Sequence, residues 1–213
     1  ILNEAANCVT RVRKVIGDDI ALMVDLDSQD DSGTALQVAE AIRPARPYWL
    51  EEPVDGSDVQ ALAKIRRASG LRVVTGEKHC NLVHFRAVLA AGAADILNPD
   101  IAGIGGVLGL LEVSELADQQ GVQISPHCWN SMTVAAAAML HVCASIPNAE
   151  MAEIYPEYIA HGESFATSGF RLDGTHAFLL HKPGLGVKID VPALRSLSNH
   201  YHSTCLTSAE ADL

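Results

Sequence analysis

With 213 residues, 48% of them apolar, the chain has enough material to bury one sizeable core, and that apolar share excludes a disordered segment. Its formal charge of −11, from 26 acidic against 15 basic side chains, excludes the basic footprint of a nucleic-acid binder. Five cysteines (Cys8, Cys80, Cys128, Cys143 and Cys205) without a C-x-x-C pair argue for reduced thiols over a disulfide framework or a zinc site. No signal peptide and no membrane-spanning run is read, so a cytoplasmic homo-oligomer without nucleic-acid or membrane partners is expected.

In chain order, a helix-like stretch over 5–16 comes first, with no strand before it. Residues 21–25 are a short apolar run that stops at Asp25, the mark of a buried parallel strand. Helical spacing follows over 34–42 and ends before Pro44 and Pro47. The next strand, 48–51, stops at Glu51; a helix over 58–68 is closed by Gly70. Strand 72–75 runs into Gly76 and Glu77, and helix 82–91 leads to Gly92. Strand 95–98 leads to Pro99 and Asp100, after which Gly105 and Gly106 open a helix that runs to Gln120 and is capped by Gly121. Strand 122–125 leads to Pro126 and His127, and an alanine-rich helix covers 133–144. A sixth strand, 149–154, carries Glu153. Beyond it, 165–188 is rich in Gly and Pro and reads as loops and short extended pieces, 191–197 as a short helix, and 198–213 as a polar tail.

Asp25, Glu51, Glu77, Asp100, His127 and Glu153 are separated by 26, 26, 23, 27 and 26 residues, and each stands at the end of an apolar run. That rhythm predicts a β/α barrel, whose catalytic groups come from the carboxyl ends of successive strands and meet at one rim. Three carboxylates on consecutive strand ends (Asp25, Glu51 and Glu77) predict a hard-oxygen site suited to Mg²⁺. Glu52 follows as a supporting group for that site. Asp100 and His127, on the next two strand ends, predict a dyad in which the carboxylate orients an imidazole for general acid–base work. Glu153 could donate to an oxyanion if its surroundings raise its pKa, or could pair with an arginine. Of the other eight histidines, only His79, two residues past Glu77, is placed to reach a substrate. Cys128 reads as a buried inert thiol, and residues 103–106 as a tight turn into a helix, lacking the Lys-Ser/Thr of a phosphate loop.

Val24-Asp25, Trp49-Leu50-Glu51-Glu52-Pro53, Gly76-Glu77, Asn98-Pro99-Asp100 with Gly105-Gly106, Pro126-His127 and Pro183-Gly184-Leu185-Gly186 together resemble the barrel domain of the enolase superfamily. The Asp–His pairing resembles its mandelate racemase subgroup, which includes many sugar-acid dehydratases. The resemblance implies an α/β fold of the (β/α)8 TIM-barrel type, here with strands three to eight over 1–197 and without the first strands and the N-terminal capping domain. It implies Mg²⁺ on Asp25, Glu51 and Glu77, an Asp100–His127 acid–base dyad, and Glu153 hydrogen-bonded to the enolate oxygen. The expected reaction removes the proton α to a carboxylate of a small-molecule substrate through an enediolate, most concretely to dehydrate a sugar acid.

Two elements of the family pattern are not found: a Lys-x-Lys pair on the strand before the Asp strand, and the capping domain that selects substrate. A chain that is a fragment is therefore expected. Asp27 stands where many relatives have Asn. The alternatives are a racemase or epimerase using the same enediolate, a metal-dependent hydrolase (disfavoured because no His-x-His pair stands at an early strand), and an inactive metal-binding barrel fragment.

Overall fold

The computed structural model describes residues 2–29, 31–129 and 131–197. They fall into two compact units: one takes in everything up to His127 together with Val142–Glu153, the other Cys128–His141 and the residues from Ile154 onward. The polar tail expected over 198–213 lies outside the described residues.

The first unit alternates helices and strands: α1 (Leu2–Ile16), β1 (Met23–Asp25), α2 (Ser32–Ile42), β2 (Trp49–Glu51), α3 (Val59–Ser69), β3 (Val73–Thr75), α4 (Leu82–Ala90), β4 (Ile96–Leu97), α5 (Gly106–Asp118) and β5 (Gln123–Ile124). All five strands are parallel and lie in sequence order, so each strand–helix segment delivers the chain to the neighbouring ladder. The register pairs Met23 with Trp49, Asp25 with Glu51, Leu50 with Val73, Val74 with Ile96, and Leu97 with Ile124.

Local chemistry sets the helix boundaries. Asp31 caps α2, accepting the Thr34 amide at 2.7 Å and the Thr34 hydroxyl at 2.6 Å. Asp58 caps α3 through the Ala61 amide, and Gly70, at φ +67°, closes that helix as the sequence predicts. Asn81 caps α4 through the amides of Val83 and His84. Pro44 cannot continue α2, and the chain turns through a 3₁₀ segment at Arg43–Ala45.

Because side chains alternate across a strand, each strand feeds both faces of the sheet. Trp49, Val74 and Ile96 pack together with Tyr48 and Met151. Leu50 and Val73, a directly paired couple, point the other way and are also fully buried, as are Leu62, Ile65, Phe85, Val88, Leu110 and Val113 from the helices.

The expected sixth strand is a correction. Only an isolated bridge, Ile124 to Ala149, joins this segment to β5. A parallel ladder needs bonds on alternate residues. Asn148 accepts from Ile124 and Glu150 donates to it, but the next bond comes from Glu153 to Pro126 at 3.4 Å, three residues further on, so the alternation fails. The described residues thus hold five ordered parallel strands followed by one extended segment.

In the second unit, α6 (Thr133–Cys143, its last two residues belonging to the first unit) and α7 (Pro156–Gly162) accompany two small antiparallel pairs. β6 (Ala166–Thr167) pairs with β9 (Lys188–Ile189), and β7 (Phe170–Asp173) forms a hairpin with β8 (His176–Leu179). Gly174, at φ +59°, supplies the backbone that this two-residue turn demands. Residues 191–197 are helical, as expected.

Candidate active site

The carboxyl ends of the strands gather the predicted residues in the first unit. Asp25 ends β1 and Glu51 ends β2, and the register sets them side by side. Glu77 lies two residues past β3, Asp100 three past β4 and His127 three past β5, and Glu153 follows the bridged segment. In parallel α/β sheets this edge is where ligands bind. Gly76 permits the step from β3 to Glu77: its φ is +135°, and a Cβ there would stand 2.7 Å from the Phe85 ring.

His127 Nδ1 lies 3.0 Å from Asp100 Oδ2, while the other Asp100 oxygen accepts the Ala102 amide at 2.8 Å. A carboxylate at that distance holds the proton on Nδ1 and leaves Nε2 to accept or release one. Nε2 faces two acids, Glu77 Oε2 at 3.6 Å and Glu153 Oε2 at 4.0 Å. Burial works against a charged ring here, but the Asp100 bond and the charges of Glu77, Glu153 and Asp100 outweigh it, so the imidazole pKa is raised.

Glu51 is a strongly perturbed acid. Burial first, then the neighbouring Asp25, Glu153 and Glu77, push its pKa up to about 7, against the lowering effect of a 2.8 Å bond from Asn98 Nδ2. Its second oxygen is 3.2 Å from Trp49 Nε1. Burial also raises Glu77; Glu52 and Asp25 add to the rise, while His127 and Lys78 oppose it. Among the described residues, no three His, Cys, Asp or Glu side chains are drawn into a finished metal-binding set. The donor chemistry nonetheless fits a hard divalent cation. Asp25, Glu51 and Glu77 offer only oxygens, and the mutual repulsion that lifts Glu51 is what a cation relieves.

Three neighbours complete the arrangement. Glu52, fully buried at φ +35°, accepts the Thr75 hydroxyl at 2.7 Å, the Gly76 amide at 2.8 Å and the Ser28 hydroxyl at 3.2 Å, so it ties the ends of β1, β2 and β3 together. Asn98 orients Glu51, and Lys78 reaches Asp27 and Ser28; the sequence gives neither a role, although Asn98 opens the Asn98-Pro99-Asp100 motif. The signal for Lys78 is only that it follows Glu77. His79, expected within reach of substrate, is 5% exposed and packed against the rings of His84 and Phe85 at centroid distances of 5.0 and 5.3 Å. Burial, with His84 alongside, lowers its pKa, which is the behaviour of a core ring. Cys128 is buried, as expected.

Residues 2–193 match the family described as enolase C-terminal domain-like, and the chain belongs to that family. The D-gluconate dehydratase of Thermoproteus tenax is 28% identical over 191 residues, taking in 89% of this chain and 38% of that protein. The D-galactonate dehydratase of Klebsiella pneumoniae (strain 342) is 29% identical over 195 residues, 89% of this chain and 51% of that one. The chain therefore spans about half, or less, of the length of these curated relatives. Among solved structures, an enolase from environmental shotgun sequencing of the Sargasso Sea shares 43% identity at a TM-score of 0.88, covering 92% of this chain and 52% of that one. A mandelate racemase/muconate lactonizing enzyme from Sulfitobacter sp. shares 29% at a TM-score of 0.85, covering 92% and 48%. A racemase from Streptomyces coelicolor A3(2) with bound magnesium shares 26% at a TM-score of 0.80, covering 92% and 52%.

Proposed function

We propose that this chain carries the acid–base and metal-binding groups of a Mg²⁺-dependent enzyme that removes the proton α to a carboxylate, with a sugar acid as substrate and dehydration as the outcome. The observation that carries this reading is the imidazole held by Asp100 at 3.0 Å with its free nitrogen turned toward Glu77 and Glu153, beside an acid already raised to about 7. The dehydratases of D-gluconate and D-galactonate among the relatives favour a sugar acid, and the magnesium in the Streptomyces coelicolor racemase favours that ion. We also read the five-stranded sheet as an arc of a β/α barrel. The free thiols of Cys8, Cys80, Cys128 and Cys143 favour a reducing, cytoplasmic setting.

In this scheme Asp25, Glu51 and Glu77 would hold Mg²⁺, which offsets the negative charge that grows on the substrate carboxylate as its α-proton leaves. Asp100 keeps the His127 tautomer fixed, so that Nε2 takes the α-proton or delivers one to the departing hydroxyl. Glu153, 4.0 Å from that nitrogen and half exposed, would donate to the developing enolate oxygen when its carboxyl carries a proton. The resemblance to a racemase keeps a second outcome in view, return of the proton to the opposite face of the same carbon.

The test is deuterium exchange at Cα of gluconate and galactonate in D₂O with Mg²⁺. His127→Asn should lower exchange by at least about 10²-fold while Mg²⁺ affinity stays within about twofold. Equal exchange in wild type and variant would remove His127 from the chemistry. Wild-type protein that binds Mg²⁺ but exchanges no acid would instead favour an inert metal-binding domain.

A further inference from the structure

We infer that Lys78 is a positioning residue of this site, whose ammonium locks the β1–α2 loop, and with it the carboxylate of Asp25, against the end of β3. Lys78 Nζ donates to Asp27 Oδ1 at 3.1 Å and to Ser28 Oγ at 2.9 Å, and stands 4.0 Å from Glu77 Oε1. One side chain therefore spans the turn that follows Asp25 and the turn that carries Glu77.

The backbone it holds is strained. Asp27 and Ser28 are successive non-glycine residues in the left-handed region, at φ 47° and 60°. Such residues are costly and persist only where their surroundings over-determine them. Here the surroundings are on view. The Asp27 amide donates to Asp25 Oδ1 at 2.8 Å. The Ser28 amide donates to the Glu52 carbonyl at 2.7 Å, and the Gln29 amide to the Pro53 carbonyl at 3.3 Å. The Ser28 hydroxyl accepts from Lys78 and donates to Glu52 Oε2, so it links the ammonium to the buried carboxylate. Glu52 is itself at φ 35°. Every strained non-glycine residue described at this edge is thus tied, directly or through Ser28, to Lys78.

The consequence concerns Asp25. Asp27 carries the amide that binds Asp25 Oδ1, so the contact that pins its carboxylate to Lys78 also pins that amide. If the ammonium is removed, no other described residue following β3 bonds Asp27 or Ser28, and a shift of that turn carries the Asp27 amide away from Asp25. Asp25 then loses its fixed orientation relative to Glu51 and Glu77. The Lys78 side chain is 46% exposed, so replacing it opens no cavity in the core.

The experiment compares Lys78→Met, which keeps the stem, with Lys78→Arg, which keeps the charge and donors. Lys78→Met should speed amide hydrogen exchange at Asp27, Ser28 and Gln29 by about tenfold and leave Leu50 and Val73 unchanged. It should also weaken binding of Mg²⁺ alone by about tenfold, with Lys78→Arg restoring most of both. Unchanged exchange at residues 27–29 in Lys78→Met overturns the inference whatever the metal does. The Mg²⁺ arm rests on the function proposed above, and the two separate cleanly. Faster exchange in a protein whose wild type takes no Mg²⁺ upholds the lock and removes the metal site. Faster exchange with Mg²⁺ affinity unchanged in the variant overturns the link from the lock to Asp25.

Discussion

The two ends of one parallel sheet are built to opposite electrostatic rules. At the amino end, Tyr48, Arg72, Gln123 and Glu150 form a closed network. Arg72 donates to both oxygens of Glu150 at 2.7 and 2.6 Å and to Gln123 Oε1 at 2.8 Å, its guanidinium lies over the Tyr48 ring, and the Tyr48 hydroxyl also bonds Glu150. Arg72 bonding, helped by Tyr48 and opposed by burial, lowers the Glu150 pKa. At the carboxyl end, no guanidinium bonds Glu51, and burial with three neighbouring acids pushes its pKa up to about 7. One end is satisfied by its own side chains. The other sets its acids against one another, the arrangement that a bound cation would relieve.

The strongest way to break this contrast is Glu51→Gln. A folded-state pKa raised from 4.5 to about 7 means that the folded protein resists losing this proton. The contribution is fully present below about pH 4.5 and is lost as pH rises through about 7. In metal-free buffer at pH 8 the variant should therefore be more stable than wild type, by about 3 kcal/mol as an upper figure. Mg²⁺, which should raise the wild-type melting temperature, should raise the variant's far less. Denaturant melts across pH 5–8, with and without Mg²⁺, read both effects. A variant less stable than wild type at pH 8 would mean that Glu51 is satisfied as it stands, and the two ends would be alike.

How far each end is legible in the sequence follows the same divide. Asp25, Glu51, Glu77, Asp100 and His127 stand out because a repeating strand–helix unit delivers each to the same edge, and the apolar runs stop at or just before them. Glu153 reaches the same edge without a strand to carry it: the segment before it reads as a strand, yet its bonds to β5 and Pro126 break alternation after Glu150. The amino-end network left no trace in the pattern. Arg72 and Glu150 are 78 positions apart, and a lone arginine at the first position of a strand looks like surface. His79 misled in the other direction. Its place beside Glu77 suggested reach, but Gly56 leaves room for the ring to turn inward, where an added Cβ would stand 2.8 Å from it. Lys78 acts through bonds to another loop and Asn98 through a bond to the end of another strand, which spacing cannot show.

Arg72→Met tests the amino end from the other side. It leaves Glu150, whose side chain is 9% exposed, and the Tyr48 hydroxyl without the cation that organises them. A loss of about 2 kcal/mol in global stability is expected, because an interior carboxylate stripped of its partner bears its own desolvation cost. Mg²⁺ affinity should not change, since no bond in this network touches Asp25, Glu51 or Glu77. A fall in metal affinity comparable to that of a carboxylate variant would show the two ends to be coupled through the strands.

The smallest effect, and the one that fixes the sign of the contrast, is the acid side of Glu150. Its folded-state pKa is depressed by Arg72, so its contribution is present above the unfolded value near 4.5 and disappears as pH falls through the lower folded value. Glu150→Gln should therefore flatten the stability profile on the acid side of about pH 4.5 and cost about 1 kcal/mol at pH 7. Glu51→Gln should alter the profile only on the alkaline side of pH 4.5. The two glutamates differ little as side chains. What separates them is that one meets a guanidinium at the start of the strands and the other meets carboxylates at their end, and opposite pH slopes in the two variants are what that difference requires.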